Sequence, residues 1–447
     1  MARHLDVTDA DINWLEAAQL LVSALVVPAL SKLGDLVGHQ RLLLVAAVVT
    51  AVATWGIALS SSFPAYLVFW ALQGVFTVWL PLEVALIYRR SIGRPDRAAA
   101  TRRATGVIVA ALEAGAIAGA LSAGLFTGLT DSLWIVLAVP AVLTTAVVVV
   151  VHRYVESDHV RTEGVLDGVG LGLISVSLLA VTGGLSLVRF FGADSPWPWV
   201  AMVAGLAVLV PFARHELRTA DPLIDLRVMR QAAMWPVQAT ALLFGVSVLG
   251  AQIPLSTFAQ TDPEKYGFGL GLDSSSVAPI IGGYVMSLLV GALLFGRVSQ
   301  AVAPRACLIG ATGLVAVGYA ALVPLHDSVA QVLACIVVAG IGSGALVAAL
   351  PAAAAAAAPE GRAGVATGLT NTAKTVGGSF ASCVFGVALA VEAGTVASDH
   401  TAGSLSGYYT VWIVCSATAV VATVLLLFVP RLAFADPDAA AVTEVLR

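Results

Sequence analysis

Long apolar runs broken by short polar turns set the pattern of this chain. Thirteen runs reach spanning length: 12–30, 42–60, 65–88, 104–129, 133–152, 165–187, 197–214, 233–258, 276–298, 305–324, 328–350, 363–391 and 408–430. A helix rises 1.5 Å per residue, so about 20 apolar residues cross a bilayer core of about 30 Å. The pattern therefore predicts an all-α polytopic membrane protein with 13 transmembrane helices.

Composition agrees. The chain has 447 residues, 59% hydrophobic and 11% charged, with a mean hydropathy of +0.94. That balance excludes a soluble globular domain. Cys307, Cys335, Cys383 and Cys415 each fall inside an apolar run, far apart and without a C-x-x-C, so they read as small buried hydrophobes. The opening MARHLDVTDADIN passes from Arg3 to acids without the apolar core of a cleavable signal.

The placement of charge gives an orientation. All but four of the 23 Lys and Arg lie in 31–41, 89–103, 153–164, 214–232, 297–305, 351–362 and 431–447. Basic loops stay cytoplasmic, which predicts a plasma-membrane protein with a cytoplasmic C-terminus. Thirteen spans then put the N-terminus outside. Loop 89–103, with six Arg against one Asp, reads as an anchor on the anionic leaflet. The alanine-rich 351–362 reads as a fraying helix end.

Between the first two runs lies Ser31-Lys32-Leu33-Gly34-Asp35-Leu36-Val37-Gly38-His39-Gln40-Arg41. Gly34 and Gly38 permit a tight reversal. Asp35 is an acid at the mouth of a helix pair, where it can answer a helix N-terminus or an Arg. The plain alternative is an ordinary basic turn. The spacing resembles the signature loop of the major facilitator superfamily, G-x-x-x-D-x-x-G-[R/K]-x-[R/K], with Lys32, Gly34, Asp35, Gly38 and Arg41 as its conformational-switch residues. Ser31 stands in place of the first Gly and His39 in place of a basic residue. A weaker copy, GRVSQAVAPR at 296–305, has Gln300 where the first has Asp35.

Other stretches extend the resemblance. RHELRTADPLIDLRVMR at 214–230 is similar to the loop that follows two inserted helices in fourteen-span members. Gln73-Gly74, Leu166-Asp167 and Tyr266-Gly267-Phe268-Gly269-Leu270 match further. The branch resembled is the fourteen-span drug:proton antiporters. The resemblance implies a 6+2+6 plan whose first helix is missing here, either through a misassigned or truncated start or because the protein works without that helix. The expected units are 1–153 (five helices), 154–231 (two inserted helices and a loop) and 232–447 (six helices and a short tail).

Ionisable groups deep in a membrane are functional candidates. Glu113 lies ten residues past Arg103, about 15 Å in and near the midplane. Desolvation there suits it to bind and release a proton; the plain alternative is a hydrogen-bonded packing residue. Glu83 sits six residues before Arg89, nearer the surface, as a second proton-coupling candidate or a partner of the Arg-rich loop. Lys374, twelve residues past Arg362, needs a carboxylate or an anionic substrate and is a cavity or gating candidate. Gly115, Gly119, Ala120 and Gly124 resemble the antiporter signature G-x-x-x-G-P-x-x-G-G, with Ala120 in place of Pro; equally they are a helix-packing groove. Where the family has R-x-x-Q-G, the third run has Trp70-Ala71-Leu72-Gln73-Gly74. Trp70 cannot carry that charge, so Trp70, Gln73, Trp79 and Phe76 are read as cavity-lining candidates, with plain packing as the alternative.

Scattered histidines, no nucleophile motif and no phosphate loop argue against an enzyme, a metal site or an ATP-driven pump. The expected function is a secondary transporter working by alternating access, exporting lipophilic or drug-like molecules by proton coupling. Its partners would be the lipid bilayer, a small-molecule substrate and protons, with no cofactor and no nucleic acid. The alternatives are a metabolite transporter of the same fold and a truncated protein that no longer transports.

Overall fold

A computed structural model of the chain describes residues 9–129, 133–156, 164–192, 194–224, 226–272, 274–359, 363–390 and 404–429. Every apolar run is mainly helical over its described residues, and no strand occurs among them. The elements are α1 (Asp9–Val37), α2 (His39–Leu59), α3 (Phe63–Gln73), α4 (Trp79–Arg90), α5 (Arg97–Leu129), α6 (Leu133–Tyr154), α7 (Gly168–Phe191) and α8 (Pro196–Arg218). They continue as α9 (Trp235–Val248), α10 (Gln252–Gln260), α11 (Ser274–Ala301), α12 (Pro304–Leu322), α13 (Val329–Ala357), α14 (Ala363–Ala390) and α15 (Leu405–Leu426). Among the described residues eight helical stretches, with α3 and α4 counted as one, are long and apolar enough to cross a membrane.

Helix ends follow local chemistry. Gly38 separates α1 from α2 at φ 112°, a conformation that side-chain-bearing residues rarely adopt. Asp167 caps α7 by accepting from the amides of Val169 and Gly170, and Ser404 caps α15 through Gly407. Two of the expected runs are not single regular helices. The run at 65–88 tightens to a 3-10 turn at Gly74–Val78, where Gly74 lies against the backbone of Gln19 on α1. The run at 233–258 breaks between α9 and α10.

Packing links sequence-distant elements. α1 packs on α3 and α14, α2 on α6, and α5 on α11 and α13. α9 packs on α14 and α15, and α13 on α11 and α12; α7 and α8 form a hairpin whose α7 also touches α1 and α14. The closest approaches are reciprocal between glycines. A side chain on Gly245 of α9 would run into the Lys374 carbonyl, and one on Gly377 of α14 into that of Leu242. Gly291 and Gly344 stand in the same relation to the carbonyls of Ile341 and Leu288, joining α11 to α13. In lipid no hydrophobic force drives helices together, so such backbone-to-backbone contact supplies the association. Meanwhile α6 and α8 present Trp134, Val142, Val149, Trp197 and Val203 outward.

The alanine-rich end of α13 is not a frayed end. Ala352 to Ala355 are helical and buried, because side chains this small let α5 and α12 close over them.

Candidate functional site

Two sets of polar groups lie where the halves of the chain meet. The first is at the basic end. The last turn of α1 projects Asp35, 2% exposed, at the first turn of α14. Its Oδ1 accepts from the Gly364 amide at 3.1 Å and its Oδ2 from Val365 at 2.9 Å. The carboxylate thus satisfies two of the four amides that a helix start leaves unpaired, and meets the positive end of the helix dipole. Close approach is possible because Gly364 and Gly368 face Ser31 and Asp35, one turn apart on each helix. The sequence reading missed this G-x-x-x-G on α14, although its spacing is a readable signal for such contact.

Around the carboxylate the basic loops converge. His39 Nε2 is 3.1 Å from Asp35 Oδ1, and Arg89 Nη1 is 3.3 Å from His39 Nδ1. Lys32 Nζ reaches Asp221 Oδ1 and the Pro222 carbonyl, both at 2.7 Å, and Asp221 also accepts from the Val165 amide. Arg41 is exposed. The Arg-rich loop is knitted into the fold. Arg90 bonds the Glu156 carbonyl, Arg97 bonds the Tyr88 carbonyl, and Arg94 and Arg103 both pair with Asp96. The Arg94 hydrogen bond holds the Asp96 carboxyl below its ordinary range. Among the described residues Gln300, the counterpart of Asp35, bonds only within its own helix. Instead Arg305 donates to the carbonyls of Leu426 and Leu427 at the end of α15.

Further in, α14 meets α4 through Thr367 Oγ1 on the Pro81 carbonyl at 3.1 Å, and meets the 3-10 turn through Asn371 Nδ2 on the Thr77 carbonyl at 3.2 Å. Beyond these lies the second set. Glu113 on α5 is 8% exposed and Lys374 on α14 is half-buried. They are close enough to interact electrostatically, as are Glu113 and Tyr284 of α11. Among the described residues none of Glu113, Glu83 and Lys374 makes an ion pair within 4 Å. Glu83, half-buried on α4, has no such pairing with the Arg-rich loop.

The aromatic and small-residue candidates separate. Trp70 stacks on Tyr66 at 5.8 Å and packs among Leu15, Ile57 and Leu137, while Trp79 packs with Val27, Leu42 and Val78. Gln73 Nε2 bonds Thr54 Oγ1 at 3.1 Å, tying α3 to α2, and Phe76 is exposed. A Cβ on Gly115 or Gly119 would meet nothing within 4 Å. The close helix packing expected at that stripe is found at Gly245, Gly377, Gly291 and Gly344 instead, since spacing alone does not say which face meets a neighbour. Ala120 and Gly124 are helical within α5.

Comparison with known proteins agrees with this architecture. The family model described as Major Facilitator Superfamily matches residues 1–382 and 239–444. The tetracenomycin C resistance and export protein of Streptomyces glaucescens is 26% identical over 396 residues, 88% of this chain and 71% of that protein. The probable actinorhodin transporter of Streptomyces coelicolor is 27% identical over 395 residues, 84% of this chain and 65% of that protein. In three dimensions the crystal structure of the human organic anion transporter MFSD10 (TETRAN) superposes with a TM-score of 0.65 at 15% identity, covering 92% of this chain and 83% of that one. These relatives are transporters rather than enzymes, and this chain is a member of the Major Facilitator Superfamily.

Proposed function

We propose that the protein is a proton-coupled exporter of lipophilic, drug-like molecules that works by alternating access in the plasma membrane. The observation that carries this reading is the juxtaposition of a lock and an interior site. Asp35 closes one end by holding the first turn of α14, and the same helix carries Lys374 opposite Glu113 further in. Moving α14 would therefore open the end and rearrange the interior charges together. The basic end is the cytoplasmic one, and the state described is closed toward the cytoplasm. The similarity to a tetracenomycin C resistance and export protein and to a probable actinorhodin transporter supports a drug-like cargo. Lys374 favours cargo with an acidic phenol or carboxyl, and Glu113 is the proton-binding group, with Glu83 its reserve.

In this reading 1–153 and 232–447 are the moving halves, 154–231 is the inserted pair, and thirteen helices cross the membrane. The test is flux in proteoliposomes. A lipophilic, drug-like probe with an acidic group should accumulate when a pH gradient is imposed and not when it is collapsed. Equal flux in protein-free liposomes would end the proposal.

A further inference from the structure

At the base of the inserted hairpin two carboxyl groups crowd one glycine. Asp167 caps the start of α7, and Glu216 sits in the last turn of α8, past the apolar run that ends at 214. A side chain on the buried Gly170 would run into both Glu216 Oε1 and Asp167 Oδ2, so the two acids share the space over that bare backbone. They are satisfied very unequally. Asp167 accepts from the amides of Val169 and Gly170, and His215 Nε2 lies 3.0 and 2.9 Å from its two oxygens. Glu216 is only 1% exposed, and its Oε2 accepts from the Ile224 amide at 3.1 Å. Its Oε1 is buried and has no hydrogen-bond partner among the described residues.

An ionised Glu216 would place an anionic oxygen with no donor beside a second anion. A proton on Oε1 removes both problems, because the hydroxyl can donate toward Asp167 while Oε2 keeps the Ile224 amide. The surrounding charged groups are engaged elsewhere or turned outward. On α8 His215 serves Asp167, and Arg214 and Arg218 are exposed. On α1 Lys32 donates to Asp221 Oδ1 and the Pro222 carbonyl. In the loop after α8, Asp221 also takes the Val165 amide, and Arg227 donates to the Leu217 carbonyl. On α14 Lys374 lies further in; Arg161, Glu163, Asp225, Glu360 and Arg362 lie outside the described residues. Glu216 therefore fixes Ile224, and the same loop fixes Lys32 of α1, close to Asp35 in the sequence of that helix.

We propose that Asp167 and Glu216 form a proton-binding carboxyl pair, which clamps α1 to the loop after α8 while the proton is held and loosens that clamp when the proton leaves. The clamp rests neither on Glu113 nor on the nature of the cargo. Loss of the proton sets a second negative charge against Asp167, so the clamp is complete at low pH and weakens as pH rises. Buried carboxyls titrate as high as about pH 8–9, which sets the range to search.

The test reads the proton and the loop separately, in the full chain in nanodiscs. The infrared carbonyl stretch of a neutral carboxyl, followed from about pH 5 to about pH 10, reports the proton. A spin label at Ala220→Cys, an exposed position beside Asp221, reports the loop in the chain without its native cysteines. In the parent chain a carboxyl band should fade as pH rises, and the mobile fraction of the label should grow severalfold over the same range. Glu216→Gln donates to Asp167 and accepts from Ile224 with nothing to titrate, so it should lack that band and keep the label immobile at every pH. Glu216→Ala releases Ile224 and should be mobile at every pH. Asp167→Asn still caps α7 and can donate to an ionised Glu216, so the band should fade at lower pH than in the parent. The same fading band in the parent and in Glu216→Gln would overturn the proton site, as would an unshifted band in Asp167→Asn. A label that ignores pH in the parent, or follows it equally in Glu216→Gln, would overturn the clamp.

Discussion

Lys32 Nζ lies 2.7 Å from Asp221 Oδ1, an ion pair that fastens the loop after the α7–α8 hairpin to the last turns of α1 across 189 residues. Lys32 is nearly buried, and its second bond, to the Pro222 carbonyl, holds the same loop. The hairpin is thus anchored beside Asp35, whose carboxylate accepts from the first amides of α14. Lys32→Met should lower thermal stability in detergent by on the order of 1–3 kcal/mol, since it strips buried hydrogen bonds from Asp221 and Pro222. A double-mutant cycle with Asp221→Asn should show coupling between the two sites. Strict additivity would mean that the hairpin is held by its apolar contacts alone.

Asp35→Asn should release the lock without unfolding the protein. The amide can accept through one oxygen only and brings no charge to the helix dipole. Charge-assisted bonds of this kind contribute about 1.5–3 kcal/mol, so the ratio of closed to open molecules should fall about tenfold or more, about 1.4 kcal/mol corresponding to a factor of ten. The readout is transport at equal membrane abundance, with labelling of the basic end by a thiol reagent. Wild-type values for both would remove Asp35 from the switch.

Glu113→Gln keeps size and hydrogen bonding but cannot titrate. Proteoliposomes carrying it should exchange substrate down its own gradient yet show no accumulation when a pH gradient is imposed. If the variant still answers the gradient as the parent chain does, Glu113 only packs, and Glu83 becomes the group to test.

Orientation is open to a labelling experiment. Single cysteines in 89–103 and in 259–275, in a chain without the four native ones, should differ in intact cells: an impermeant reagent should label only the second. Labelling of the Arg-rich loop from outside would invert the whole topology.

The glycine contacts make a paired prediction. Gly377→Leu must push a side chain into the Leu242 carbonyl across α9, and overpacking of this kind costs about 1–3 kcal/mol. Gly115→Leu meets open space and should leave the melting temperature near that of the parent. Equal melting temperatures for the two variants would contradict the packing described.

By itself, the sequence determined the class of structure. Runs this long and this apolar have no other way to satisfy their backbone than as helices in lipid, and the gathering of Arg into alternate loops marked one face. It also singled out Asp35, because a charged turn between apolar runs is conspicuous. What it could not show was the partner of each group, since a one-dimensional pattern gives spacing along a helix but not the neighbour across it. Asp35 meets Gly364 and Val365 more than 300 residues away. His39, a substitution to the sequence reader, became a link between Asp35 and Arg89 only once three helices were brought together. The same limit explains the glycines: the stripe at Gly115 and Gly119 and the pair Gly364 and Gly368 share one spacing, and only tertiary packing decided which of them faces another helix.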